Sequence, residues 1–322
     1  MANNQPAAGS SRLPGLANVL VPEARIGGAR YILKRVLGRG GVTEVWLARD
    51  VKLEQEVALK FLPASVSQHP DIVERLKLEA NRTLTLVHPN IARTYEFVQD
   101  RRAAAVSSEF VDGWSLATMR VDKPEKRFHL EEITLWIRQV CAALSYAHNE
   151  MKILHLDLKS SNILLNSRAE IKITDFVFAR TLQTVASPNE LKLAADALGF
   201  MSPQQALGET PSVLDDVYGL GATLFDLLTG TPPFYKGQIL AQVCDRPAPR
   251  MSERLAELEI KDSISAVVED AVAQCLAKDP AKRPESIEKV LRLLERSDVP
   301  VTIQAPEPKK EEPPPEPEPV KP

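Results

Sequence analysis

The segment His155-Leu156-Asp157-Leu158-Lys159-Ser160-Ser161-Asn162 concentrates side chains that could act on one substrate. A carboxylate at Asp157 can orient a hydroxyl and accept its proton. The ammonium of Lys159, two residues on, can neutralise charge developing on a transferred anionic group. Asn162 offers an amide oxygen, the donor type that a hard cation such as Mg²⁺ prefers. Asp175, in Asp175-Phe176-Val177, offers a second oxygen donor. Upstream, Leu37-Gly38-Arg39-Gly40-Gly41-Val42-Thr43-Glu44-Val45 is glycine-rich, and glycines let backbone N–H groups approach phosphates with no side chain in the way. Taken singly these features are common. A glycine-rich hairpin turn and a solvated lysine such as Lys60 are the ordinary readings of such segments.

The elements around them follow from hydrophobic period. Tyr31-Ile32-Leu33, Val45-Trp46-Leu47 and Val57-Ala58-Leu59 read as strands separated by turn residues. Asp71 to about Thr85 reads as a helix with Ile72, Leu76 and Leu78 as its apolar positions. Beyond Val111-Asp112-Gly113 the chain turns helical. Trp136, Val140, Leu144 and His148 mark one face of a long helix, and others run from about 214 to 229, 264 to 278 and 284 to 297. Short strands are expected at Ile163-Leu164-Leu165 and Ile171-Lys172-Ile173.

In this order the motifs resemble those of the protein kinase family, and within it bacterial Ser/Thr kinases, over residues 31 to 296. The resemblance implies an α+β, bilobal protein-kinase fold with a β-rich N-lobe and a mainly helical C-lobe. It divides the chain into a flexible leader (1–28), N-lobe (29–112), C-lobe (113–297) and a disordered Pro/Glu/Lys-rich tail (298–322). It implies ATP and Mg²⁺ as cofactors and a protein substrate with a Ser or Thr acceptor. Asp157 and Lys159 become the catalytic pair, and Asn162 and Asp175 the metal ligands. Leu37, Gly38, Gly40, Val45, Ala58, Val111 and Leu164 become nucleotide-pocket residues. Lys60 is expected on the α- and β-phosphates, paired with Glu79. The Glu109 carbonyl and Val111 N–H are expected on the adenine edge, with Ser108 at the back of the pocket. Asp216 is expected to support the catalytic-loop backbone.

Four positions depart from the family pattern. Thr43 replaces the third glycine, Leu156 an arginine, Val177 the glycine of D-F-G and Gln204 the glutamate of A-P-E. Gln204 is expected to hydrogen-bond Arg283 as a neutral substitute. Leu156 and Asp196-Ala197 together remove the receptor and acceptor of an activating phosphate. Two readings stay open: a kinase not switched by activation-loop phosphorylation, or a pseudokinase acting as a nucleotide- or partner-binding scaffold.

Composition narrows the setting. With a net charge of −3 there is no global basic field, so no nucleic-acid partner is expected. Cys141, Cys244 and Cys275 form no CxxC pair, which fits a reducing, cytoplasmic compartment. No apolar run has the length of a membrane span and residues 1–15 lack the pattern of a secretory signal. The Pro-rich end resembles linkers that join receptor kinases to a membrane span, so a truncation before such a span is one expectation for it.

Overall fold

The structure is a computed structural model that describes residues 20–40, 43–63, 69–100, 103–176 and 195–295. Its strands are β1 (Arg25–Ile26), β2 (Tyr31–Gly40), β3 (Thr43–Asp50), β4 (Gln55–Phe61), β5 (Thr94–Gln99), β6 (Ala104–Glu109), β7 (Gly113–Ser115), β8 (Ile163–Asn166) and β9 (Ile171–Ile173). The helices are α1 (Pro70–Thr83), α2 (Leu116–Val121), α3 (Leu130–Asn149), α4 (Ala195–Leu198), α5 (Pro203–Ala206) and α6 (Val213–Thr229), then α7 (Ile239–Asp245), α8 (Met251–Glu257), α9 (Ala266–Cys275) and α10 (Ile287–Leu294).

The first six strands form one antiparallel sheet in the order β1-β2-β3-β4-β6-β5. Strand alternation decides what each face carries. Trp46, Ala48, Val57, Leu59, Phe61 and Ala105 share a buried core. The intervening residues Val45, Ala58, Lys60, Val106 and Ser108 therefore stand on the opposite face. Register puts Val45 opposite Lys60, Lys60 opposite Val106, and Ala58 opposite Ser108.

The expected leader ends too late. Arg25–Ile26 pairs with Tyr31–Ile32, and Leu20 and Ile26 are buried in the sheet core. A two-residue strand is too short to show any period, so burial could only come from tertiary pairing. The remainder of the leader and the tail lie outside the described residues. Helix α1 starts on Pro70, suited to a first helical turn that needs no N–H, and buries Val73, Leu76 and Ala80. Leu78, one of the apolar positions of the expected helix, is exposed. Two residues from Leu76 is about 200° around a helix of 3.6 residues per turn, the far side from the stripe.

The helical region packs around α6, buried along its length as its apolar sequence on all faces requires. A Cβ on Gly221 would come within 2.5 Å of the Cys275 side chain, so that glycine sets the approach of α9. Helix α3 lays Ile133, Ile137, Val140 and Leu144 on this core, while Trp136 sits at its edge against Phe128. Strands β7, β8 and β9 form a second sheet. There a Cβ on Gly113 would lie 2.0 Å from the Leu165 carbonyl, an approach only glycine permits. The two regions join along Asn90–Ala92: Ile173 N donates to Asn90 O (2.9 Å) and Ala92 N to Ile173 O (2.8 Å).

Candidate active site

The loop carrying Asp157 is not a regular element, so its backbone groups need partners from elsewhere. Asp216, buried on α6, supplies them. Its carboxylate accepts the N–H groups of His155 (2.7 Å) and Leu156 (2.6 Å) and meets His148 Nε2 at 2.7 Å. Burial raises the Asp216 pKa, but the His148 hydrogen bond and charge and the His155 amide outweigh it and hold the carboxyl below its usual range. His155 fixes the next links. A carbonyl can only accept, so Nε2 donates to Thr174 O at 2.8 Å. A backbone N–H can only donate, so Nδ1 accepts from Asp157 N at 3.2 Å. The ring is thereby assigned as the neutral Nε2–H tautomer, and it packs edge-on to Phe176, centroids 4.6 Å apart.

Around Asp157 the expected residues converge. Lys159 Nζ contacts both carboxylate oxygens, at 2.9 and 2.7 Å. Asn162 Nδ2 donates to Asp157 O (2.8 Å) and Oδ2 (3.0 Å), which leaves the amide oxygen as the end suited to a cation. Thr174 N donates to Asn162 O at 2.9 Å, holding the segment that carries Asp175 against Asn162. Asp175 has a left-handed backbone, φ 73°, and its carboxylate lies 2.9 Å from Lys60 Nζ. Burial raises the Asp175 pKa, but the Lys60 ammonium more than offsets this, with help from Lys159, and the carboxyl is held below its usual range. Glu79, the carboxylate expected beside Lys60, stands half-buried on α1.

A pocket opens beside this pair, lined by Lys60, Thr94, Val106, Ser108, Asp175 and Phe176. Ala58 and Val45 lie on the same sheet face. Leu164 lies on the face of β8 opposite Ile163 and Leu165, which enter the helical core. Leu37 and Gly38 are on β2, whose last pair, Gly40 with Thr43, closes the hairpin. Glu109 ends β6, and Val111 is buried two residues later. The Glu109 carboxylate is tied to Lys172 of β9 (2.8 Å) and to Arg93 N (3.1 Å).

Gln204 meets its expectation: its Oε1 accepts Arg283 Nη2 at 2.5 Å. The buried guanidinium also donates to the carbonyls of Ala277 (2.7 Å), Leu214 (2.9 Å) and Lys278 (3.1 Å), and lies 5.1 Å from the Tyr218 ring centre. Val177 lies outside the described residues, as does the Asp196 side chain. Sequence reasoning missed Lys172 and Gln205. Gln205 Nε2 donates to Leu156 O at 2.8 Å. No spacing signal marks either residue, because each partner is distant in sequence.

Comparison with known proteins gives the family. The protein kinase domain family matches residues 31–293. Serine/threonine-protein kinase PknB of Mycobacterium leprae is 32% identical over 264 residues, covering 79% of this chain and 40% of its own length. Serine/threonine-protein kinase PrkC of Bacillus subtilis is 32% identical over 267 residues, covering 82% and 40%. The chain thus spans about 40% of the length of these curated relatives. The crystal structure of the Mycobacterium tuberculosis PknI kinase domain superposes with a TM-score of 0.68 at 23% identity, covering 87% of this chain and all of that one, and shows the shared bilobal fold. With the family match spanning most of its length, the chain belongs to the protein kinase family and is similar to its bacterial Ser/Thr members.

Proposed function

We propose that this domain is an ATP·Mg²⁺-dependent protein kinase that transfers the γ-phosphoryl group to a Ser or Thr hydroxyl of a protein substrate in the cytoplasm. The observation that carries the reading is the convergence of Asp157, Lys159 and Asn162 on one loop, pinned by Asp216, beside the Lys60–Asp175 pair. The donor set fits the metal: a carboxylate and an amide oxygen are hard ligands, and Mg²⁺ takes one or two such groups alongside substrate phosphates. Bound between Asp175 and Asn162, it would neutralise charge on the β- and γ-phosphates.

The protein's own part is positioning and proton transfer. Asp157 takes the proton of the acceptor hydroxyl as its oxygen bonds to the γ-phosphorus and the bond to the ADP oxygen breaks. Lys159, resting on Asp157, is close enough to turn to the phosphoryl oxygens. Lys60, resting on Asp175, is placed to bind the nucleotide phosphates. The glycine-rich hairpin, the sheet face with Val45 and Ala58, the Glu109–Val111 backbone and Leu164 form the nucleotide walls. Glu79 is the second carboxylate within this reading. A labelled γ-phosphate transfer assay with Mg²⁺ tests it, comparing wild type, Asp157→Ala and Val177→Gly. Transfer by wild type that Asp157→Ala abolishes is expected. Nucleotide-induced thermal stabilisation without transfer, together with activity gained by Val177→Gly, would refute it.

A further inference from the structure

The peptide joining Leu156 to Asp157 is held at both polar ends. Its carbonyl accepts Gln205 Nε2 at 2.8 Å, and its N–H donates to His155 Nδ1 at 3.2 Å. Rotating that peptide plane swings the Cα–Cβ bond of Asp157 and with it the carboxylate. Leu156 has φ 62°, a left-handed conformation that leucine keeps only where its surroundings fix it. Asp216 fixes the amide on one side of Leu156, and Gln205 fixes the carbonyl on the other.

Gln205 is itself anchored. Its Oε1 accepts Ser202 N at 3.1 Å, its backbone N donates to Ser202 Oγ at 3.0 Å, and that hydroxyl donates to Asp215 Oδ1 at 2.5 Å. Asp215 adjoins Asp216 on α6. A closed circuit therefore runs from residues 202–205, through Gln205, to the catalytic loop, and back through α6. Leu156 has no charge with which to grip a phosphate, and among the described residues this contact links the segment after residue 194 to the loop through a neutral bond.

The geometry points to Gln205 as a positioning residue for Asp157, coupling the substrate-side segment to the catalytic loop through a neutral hydrogen bond instead of an arginine–phosphate pair. The inference rests on the kinase reading above. An amide N–H donor needs no modification to act, so the loop is assembled without a phosphorylation step.

Gln205→Glu tests the link. It keeps the chain length and still accepts the Ser202 N–H, yet it turns an acceptor toward the Leu156 carbonyl. Gln205→Met keeps the volume and removes both bonds. In both variants kcat is expected to fall about 10- to 100-fold with KM for ATP within about twofold, the mark of a misplaced base in an intact nucleotide site. Hydrogen exchange at the Asp157 amide should quicken while exchange in α6 does not. A Gln205→Glu variant with kcat within twofold of wild type overturns the inference. A wild type without transfer refutes the kinase reading alone. In that case exchange still decides: an unchanged Asp157 amide in both variants overturns the positioning role.

Discussion

Replacing Gln204 by Glu asks whether Arg283 is satisfied or merely tolerated. Arg283 is 5% exposed, and among the described residues its hydrogen-bond acceptors are neutral: three carbonyls and the Gln204 amide oxygen. Burial depresses its pKa, opposed by the charge of Asp215. Replacing the amide acceptor of the 2.5 Å contact by a carboxylate turns an already charge-assisted bond into an ion pair and raises its net worth from about 1.5 to about 3 kcal/mol. Against this, the variant loses the 3.2 Å bond from Gln204 Nε2 to Lys278 O and must desolvate a carboxylate. A net gain of about 1 kcal/mol is expected, a rise of about 2–4 °C in Tm. Gln204→Leu should cost about 2 kcal/mol, since Nη2 keeps only its longer bond to Lys278 O. The new carboxylate would have a folded pKa below the unfolded value of about 4.3, so the gain is full above that pH and lost as pH falls through the folded pKa. Urea midpoints of both variants at pH 7 and pH 3 measure this. A Gln204→Glu protein no more stable than wild type at pH 7, or equally stabilised at both pH values, refutes the charge argument.

Two further outcomes follow from the structure. Gly113→Ala places its methyl 2.0 Å from the Leu165 carbonyl and 2.8 Å from Asn166 Cα, both backbone, so β7 must leave β8; a loss of about 2–3 kcal/mol in urea unfolding is expected, with weaker binding of a fluorescent nucleotide. Acid should unfold the domain through carboxyls whose folded pKa values are lowered: Asp175, Asp216 and Glu288, the last opposed by burial but brought down to about 2 by hydrogen bonds from Ser145, Ser286 and Asn149. The unfolded chain binds more protons there, so stability is full above the unfolded pKa of about 4.3 and falls as pH drops toward the folded values, and Glu288→Gln should flatten that limb of the pH–stability curve.

The sequence by itself determined the family and marked the candidate residues of the proposed chemistry. Asp157, Lys159, Asn162 and Asp175, the residues of the proposed chemistry, lie close together in the chain, so their types and spacing can be read there. The sheet was legible for the same reason: Val57-Ala58-Leu59-Lys60 alternates, and alternation alone places Ala58 and Lys60 on one face. Helix α1 was legible in extent but not in its buried stripe, where Leu78 faces out and Val73 faces in. Tertiary structure decided the rest. That Lys60 rests on Asp175, that Asp216 holds Leu156, and that Gln205 holds the other side of the same residue depends on contacts 49 to 115 positions apart in sequence. Such pairs leave no periodic trace, because a hydrogen bond between distant segments constrains two side chains and nothing between them.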